Sequence, residues 1–419
     1  MKSPTEIQAQ LFGLFLHNHR KRNNLSLENI GKAIYKTPSQ IRLVEKGAQA
    51  LTQEEQDQIA QLFGFPSFAN NLKYQAYFDN LLKKFDNLFF HQQEDEVFAL
   101  LEKVKSKRSR WEASSIFFIT SLFQLIPYRY EKGDETCQTI IKEIKQYTEY
   151  MTPFELFFFY SLQGVIAYNI SRFQTACSFF EKALSYEKNR VGLYIQLAMT
   201  YQTLEYRQKS LTCIYKANRL MLQNPDVYRM LQLSLLYTNF RMEKSISYKE
   251  AIHERLNLYQ SCMEMNEKSL AAIVLHNISY MYLRNEDYMN AIVFAKKSLE
   301  LDNDPESSCH WFIPYSYWRL NMKLECEQWI SNYKAFKFSN THVFKMCKAI
   351  YYFSNSEVTA GISMLEASHR ALLEDQEMDR LVFLLDWLIE MYSQINDLEK
   401  MYLCEKEVRT IYERRTEID

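Results

Sequence analysis

The sequence predicts an all-α protein in two parts, a short N-terminal helix-turn-helix domain and a long array of helical pairs. Three observations carry that expectation. Eight glycines and eight prolines make 16 helix breakers in 419 residues, and seven of the 16 fall in the first 66. Beyond residue 66, Leu, Lys, Glu, Gln, Met and aromatic residues dominate, a composition that builds helices. Leu25–Gly47 carries the caps of two short helices around a tight turn, and from Leu72 onward one residue pattern recurs.

In chain order, Thr5–Asn23 reads as a first helix with Leu11, Leu14 and Phe15 on one face. Ser26 caps a second, Leu27–Ile34, and Tyr35 and Lys36 make the break. Thr37 caps a third helix with Pro38 at its first position, and Thr37 and Gln40 have capping-box spacing. Ile30, Ala33, Ile34, Ile41 and Val44 face one small core, while Ser39, Arg42, Leu43 and Lys46 fall on the opposite face. Gly47 ends the helix. This is helix-turn-helix spacing, and the second helix of the motif is stocked to lie in a DNA groove. Residues 1–47 hold eight Lys/Arg against three acids in a chain of net charge −1, a basic module on a near-neutral body. Thr52-x-x-Glu55 is another capping box and opens a helix to Phe63. The expected organisation is a DNA-binding domain over 1–66, a connecting segment over 67–90 containing an amphipathic helix Tyr74–Phe90, and a repeat domain over 91–419, with the boundary at Pro66–Asn71.

Three hexads in the repeat region align: Gln196–Tyr201, Gln232–Tyr237 and Asn277–Tyr282. Each runs amide, aliphatic, small residue, two further residues, Tyr. The second helices share a small-residue rhythm in Ala176/Phe180/Ala183, Ser210/Ile214/Ala217 and Ala291/Ala295/Ser298. Ala183 to Ala217 spans 34 residues, the tetratricopeptide period. A small residue lets paired helices approach, and a large one fills the space between repeats. Residues 245–268 carry an insertion, so one repeat has longer helices or an added turn. Trp311–Lys334, Val343–Leu373 and Met378–Arg414 read as further pairs. About eight or nine TPR-like pairs are expected, stacked as a right-handed superhelix with a concave inner wall.

Such a wall is shaped for an extended peptide. A carboxamide carries a donor and an acceptor side by side and can pair with both groups of a peptide unit. Gln196, Gln232 and Asn277 hold equivalent places in the three hexads, so they are candidate backbone clamps; the alternative is that they cap turns or face water. Tyr168, Tyr194 and Tyr280 are candidate groove aromatics, and Arg241 and Arg284 are candidate holders of a peptide carboxylate. The eight cysteines are scattered without a CxxC, as buried thiols in a reducing cytosol would be. No apolar run reaches membrane-spanning length. The sequence has no phosphate loop, dinucleotide glycine motif or HExxH, and His17 and His19 point different ways on a helix. No metal, cofactor or catalytic role is expected.

Arg20 and Leu25–Gly47 resemble the Cro/CI-type (XRE) helix-turn-helix, with Arg20, Glu45 and Gly47 at that family's characteristic places. The resemblance implies an Arg20–Glu45 ion pair tying the first helix to the recognition helix. It implies base reading from Pro38, Ser39, Arg42 and Leu43, with Gln40 beside them. Arg22, Lys36 and Lys46 are expected on phosphates. Leu27, Pro38 and Leu43 depart from the polar residues common there. Residues 154–301 resemble tetratricopeptide repeats. Together the two parts look like the RRNPP family of quorum-sensing receptors, of NprR type in length rather than PlcR or Rgg type. That resemblance implies a cytoplasmic, homodimeric, non-enzymatic transcription regulator that binds an operator and a signalling peptide. Its dimer surfaces are expected on the Tyr74–Phe90 helix and the C-terminal repeats. The alternatives are a TPR protein that sequesters or dephosphorylates a response regulator, and a repeat scaffold with a vestigial helix-turn-helix.

Overall fold

The structure, a computed structural model, describes residues 4–69, 73–90, 93–106, 109–130, 133–223, 225–241, 247–304, 307–333, 341–374 and 378–414. It is all-α. Among the described residues there is no strand, only an isolated parallel bridge between Ala69 and Ser114. The chain forms two compact units, one of residues 1–169 with 182–188, the other of residues 170–181 with 189–419.

The first unit contains α1 (Pro4–Arg22), α2 (Leu27–Ala33), α3 (Pro38–Glu45), α4 (Gln53–Leu62), α5 (Lys73–Phe90), α6 (Glu94–Lys105), α7 (Ser109–Glu112), α8 (Ile119–Leu125), α9 (Glu135–Lys145) and α10 (Pro153–Asn169). Helices α2, α3 and α4 each begin at a reciprocal capping box: Ser26 with Asn29, Thr37 with Gln40, and Thr52 with Glu55. Each box satisfies donors that a helix start leaves orphaned, which is why such short helices have sharp beginnings. Gly47 closes α3 at φ +66, a left-handed conformation that costs glycine nothing. A Cβ on Gly13 would lie 2.2 Å from the Val44 carbonyl oxygen, so α1 rests directly on the end of α3.

Phe12, Phe15, Ile30, Ile34, Ile41, Val44 and Ile59 form the core of these helices. That core continues past the boundary expected at Pro66–Asn71, part of which lies outside the described residues. Phe15 packs on Phe68 and Phe117, Arg22 pairs with Glu143, and the Tyr150 hydroxyl donates to Gln10. Helix α5 forms as expected. Its Phe78, Leu81, Leu82, Phe85 and Phe89 are buried, with Trp111, Phe123 and Phe158 among their ring partners. Its apolar face is therefore used inside its own unit.

Helix α11 (Phe173–Tyr186) spans the division between units. The second unit continues with α12 (Val191–Thr203), α13 (Arg207–Met221), α14 (Val227–Arg241), α15 (Tyr248–Glu264), α16 (Lys268–Arg284), α17 (Tyr288–Leu301), α18 (Cys309–Arg319), α19 (Lys323–Asn332), α20 (His342–Ser354), α21 (Val358–Glu374), α22 (Met378–Gln394) and α23 (Leu398–Arg414). A single residue of positive φ turns the chain within the pairs: Glu205, Glu286, Asn321, Ser356 and Asn396. Small buried residues bring paired helices together. Ser210 donates to the Ala198 carbonyl across α12/α13, and Ser279 donates to the Ala291 carbonyl across α16/α17. The 227–264 segment departs from this pattern: the left-handed turn at Asn266 joins α15 to α16.

Candidate functional site

Helix α3 buries Ile41 and Val44 and exposes Pro38, Ser39, Arg42, Leu43 and Lys46. Arg20 reaches across from α1, donating to Glu45 from Nε at 2.5 Å and from Nη2 at 3.2 Å, while its Nη1 donates to the Leu25 carbonyl at 3.0 Å. His17 meets the same carboxylate at 3.2 Å. Burial would raise the Glu45 carboxyl, but hydrogen bonds from Arg20 and His17 outweigh it and hold the group below its ordinary range. The outward face of α3 is thus fixed in rotation by an ion pair behind it.

Not every expected cation is available there. Arg22 pairs with Glu143 at 2.6 Å, and Lys36 is half-buried against Glu55 at 2.7 Å. Gln40 is half-buried and committed to the Thr37 cap. Arg42 and Lys46 make no ion pair among the described residues, and they are the cations this face presents. Tyr35, fully exposed in the left-handed turn at φ 54, stands at the break before α3.

In the second unit the three hexad amides part company. Gln232 donates to its own helix, to the Tyr228 hydroxyl at 3.1 Å. The Gln196 side chain is half-buried without a hydrogen bond among the described residues. Asn277 joins a chain of amides on α12, α14 and α16: its Nδ2 donates to Asn239 Oδ1 at 3.4 Å, and Asn239 Nδ2 donates to Gln202 Oε1 at 3.2 Å. Gln202 in turn donates to the Leu236 carbonyl, and the buried Arg255 donates to Asn239 Oδ1 and the Thr238 carbonyl. Asn239 and Gln202 were not among the residues expected from the sequence. The signal was their near-even spacing, 37 residues from 202 to 239 and 38 from 239 to 277. Burial lowers the His276 imidazole, which contacts Asn277 Oδ1, to about 4, so it is neutral near pH 7.

The aromatic and arginine candidates also divide. Tyr194 lies under Lys216 of α13, within its own helical pair. Tyr280 packs on Phe312 and Phe383. Arg284 pairs with Asp386 of α22 at 2.7 Å, so an internal carboxylate already holds it. Tyr168 is half-buried in the first unit, and the Arg241 side chain lies outside the described residues.

These features define a helical-repeat protein whose repeats carry interhelical amides. A tetratricopeptide repeat model matches residues 272–305. No curated protein sequence matches the chain. Among solved structures it is similar to a Rap protein complexed with Competence and Sporulation Factor, at TM-score 0.67 and 13% identity over 81% of this chain and 99% of that one. It is also similar to the apo quorum sensor NprR from B. thuringiensis, at TM-score 0.59 and 16% identity over 81% and 99%. NprR in complex with its cognate peptide NprX matches at TM-score 0.59 and 14% identity over 80% and 99%. The structural neighbours are therefore quorum-sensing TPR proteins, and at these identities the likeness is one of fold. Among the described residues, no helix is long and apolar enough to cross a membrane, and no group of three or more His, Cys, Asp or Glu could hold a metal.

Proposed function

We propose that this chain is a non-enzymatic, cytoplasmic transcription regulator of the RRNPP type. In this reading α2 and α3 form a Cro/CI-type helix-turn-helix that binds an operator, and a short signalling peptide binds the inner wall of the repeats. The observation that carries it is the outward face of α3: Ser39, Arg42 and Lys46 are exposed on a helix fixed by a doubly bonded cap and the Arg20–Glu45 pair. Arg42 reads a base edge and Lys46 grips phosphate. One such module makes too few contacts for a tight operator complex, so the protein acts as a homodimer on paired half-sites. The amide chain supports the peptide half of the reading. Asn277 and Asn239 each spend one amide hydrogen on the next amide and keep a second for a peptide carbonyl.

Selection from a random-sequence duplex library tests the DNA half. The expected result is an enriched paired motif that Arg42→Ala relaxes by about 1–3 kcal/mol at one position. No enrichment over non-specific binding overturns it. Screening synthetic short peptides by thermal shift tests the other half, with Asn277→Ala expected to weaken hits about ten- to a hundredfold. A second reading, a repeat protein that sequesters a response regulator, is favoured by one observation: Arg22 and Lys36 are held by internal carboxylates. Binding of a phosphorylated response regulator without operator binding would select it.

A further inference from the structure

The repeat array has a vacant place for one helix. In α12 the face toward its partner helix is lined by Val191, Tyr194, Ala198 and Tyr201, and in α16 by Ala272, Leu275, Ser279 and Tyr282. All eight are buried or half-buried. The same hexad positions in α14 are Val227, Met230, Ser234 and Tyr237, and all four are exposed, Val227 and Met230 at 50%.

The helix next in the chain lies elsewhere. Leu258 and Cys262 of α15 share a buried cluster with Leu231 and Leu235 of α14. The equivalent residues of α16, His276 and Tyr280, meet Phe312 of α18, the first helix of the following pair. So α15 occupies the position of a following first helix, consistent with the left-handed turn at Asn266 that joins it to α16. Among the described residues no helix covers the Val227, Met230, Ser234 and Tyr237 face of α14.

The other wall is exposed toward its C-terminal end. The face by which a second helix meets the next repeat is Ile292 and Lys296 in α17, where Ile292 is buried and Lys296 lies over Tyr317 and Trp329. In α13 the equivalent residues are Leu211, which is half-buried, and Tyr215, with Leu222 two turns on; Tyr215 is 58% and Leu222 84% exposed. Two largely apolar stripes at helical spacing thus stand exposed on α13 and α14, where the corresponding faces of α16 and α17 are covered.

Charge identifies the occupant. Neither α13 nor α14 carries an Asp or Glu, and with Arg207 already paired to Glu205 just ahead of α13, the exposed cations of that helix are Lys216 and Arg219. Arg219 is exposed on the same side of α13 as Tyr215 and Leu222, and the exposed Lys216 borders that side with its ammonium over Tyr194 of α12. We infer that α13 and α14 dock an acidic amphipathic helix of a partner protein, which completes the repeat as α17 completes α16. Because Val227, Met230, Ser234 and Tyr237 lie on the opposite side of α14 from Gln232 and Asn239, this site is independent of peptide binding on the inner wall.

The test uses full-length protein and a labelled synthetic peptide with the sequence of α17, Tyr288–Leu301, carrying glutamate in place of Lys296 and Lys297. A control peptide keeps both lysines. The acidic peptide is expected to bind saturably and the control about tenfold more weakly. Met230→Asp, at an exposed position, should leave thermal melting unchanged and weaken the acidic peptide about tenfold. Lys216→Glu combined with Arg219→Glu should invert the preference between the two peptides. The inference is overturned if no saturable binding occurs, or if both sets of substitutions leave binding unchanged. It is also overturned if sedimentation shows wild-type dimers that Met230→Asp converts to monomers, because a second copy would then fill the gap.

Discussion

The α16/α17 pair and α14 begin from the same hexad and end in opposite environments. Ser279 is fully buried and donates to the Ala291 carbonyl, whereas Ser234 at the same position faces solvent. Tyr282 stacks on Phe294 of α17 at 5.3 Å, while Tyr237 is 37% exposed. A repeat motif therefore marks a face that is able to receive a helix; it does not ensure that the chain delivers one. Whether the face is covered depends on where the following helix docks, and α15 docks on the neighbouring face.

The largest expected contrast lies in that serine. Ser279→Leu forces a larger side chain between α16 and α17 and strips a hydrogen bond from a buried carbonyl, at a cost of about 2–4 kcal/mol. Ser234→Leu should shift stability by no more than about 0.5 kcal/mol. Denaturant melts of the two variants, compared at equal slope, check this; equal losses would mean that the α14 face is covered in solution.

Acid provides the next contrast, because α16 carries His276 where α14 carries Leu231. Burial holds His276 near 4 in the folded chain and His342 near 3, against 6.5 when unfolded. The unfolded chain then binds more protons below pH 6.5, so stability present above that pH is lost as the pH falls toward 4. The loss should be about 1–3 kcal/mol per imidazole. His276→Leu should flatten the acid limb of a stability–pH curve, and an unchanged limb would place the titrating group elsewhere.

A smaller effect separates the amides. Asn239→Ala removes the link between Asn277 and Gln202 and one acceptor of the buried Arg255, at a cost of about 1–2 kcal/mol. Gln232→Ala loses one bond within its own helix and should cost about half a kcal/mol. Thermal melts should rank them in that order. Tyr215→Ser should have the smallest effect, within about 0.5 kcal/mol, because the ring is more than half exposed and completes no core. A larger loss would show that the α13 wall is packed against something in solution.

Much of this architecture was legible because it is written locally. Ser26, Thr37 and Thr52 cap helices through residues three positions away, and periodicity over a dozen residues sets which side of α3 or α5 is apolar. The pairs 311–334, 343–373 and 378–414 were readable for the same reason. The candidate site was only half legible. Arg42 and Lys46 stand exposed, where their place on α3 put them, but Arg22 is paired with a residue 121 positions away. No local pattern announces Glu143 as its partner.

The sequence by itself determined the all-α class, the capped starts of α2, α3 and α4, and the recurring amide–small–Tyr face. Each of these depends on residues within a turn or two of one another. Only the tertiary structure decided that Asn277 meets Asn239 and not Gln232, and that the Val227, Met230, Ser234 and Tyr237 face of α14 stands exposed. Successive residues turn about 100° around a helix, so a small change in how two helices cross exchanges one facing residue for another. That choice is made by the whole set of side chains packed between α14, α15 and α16, and no single repeat contains it.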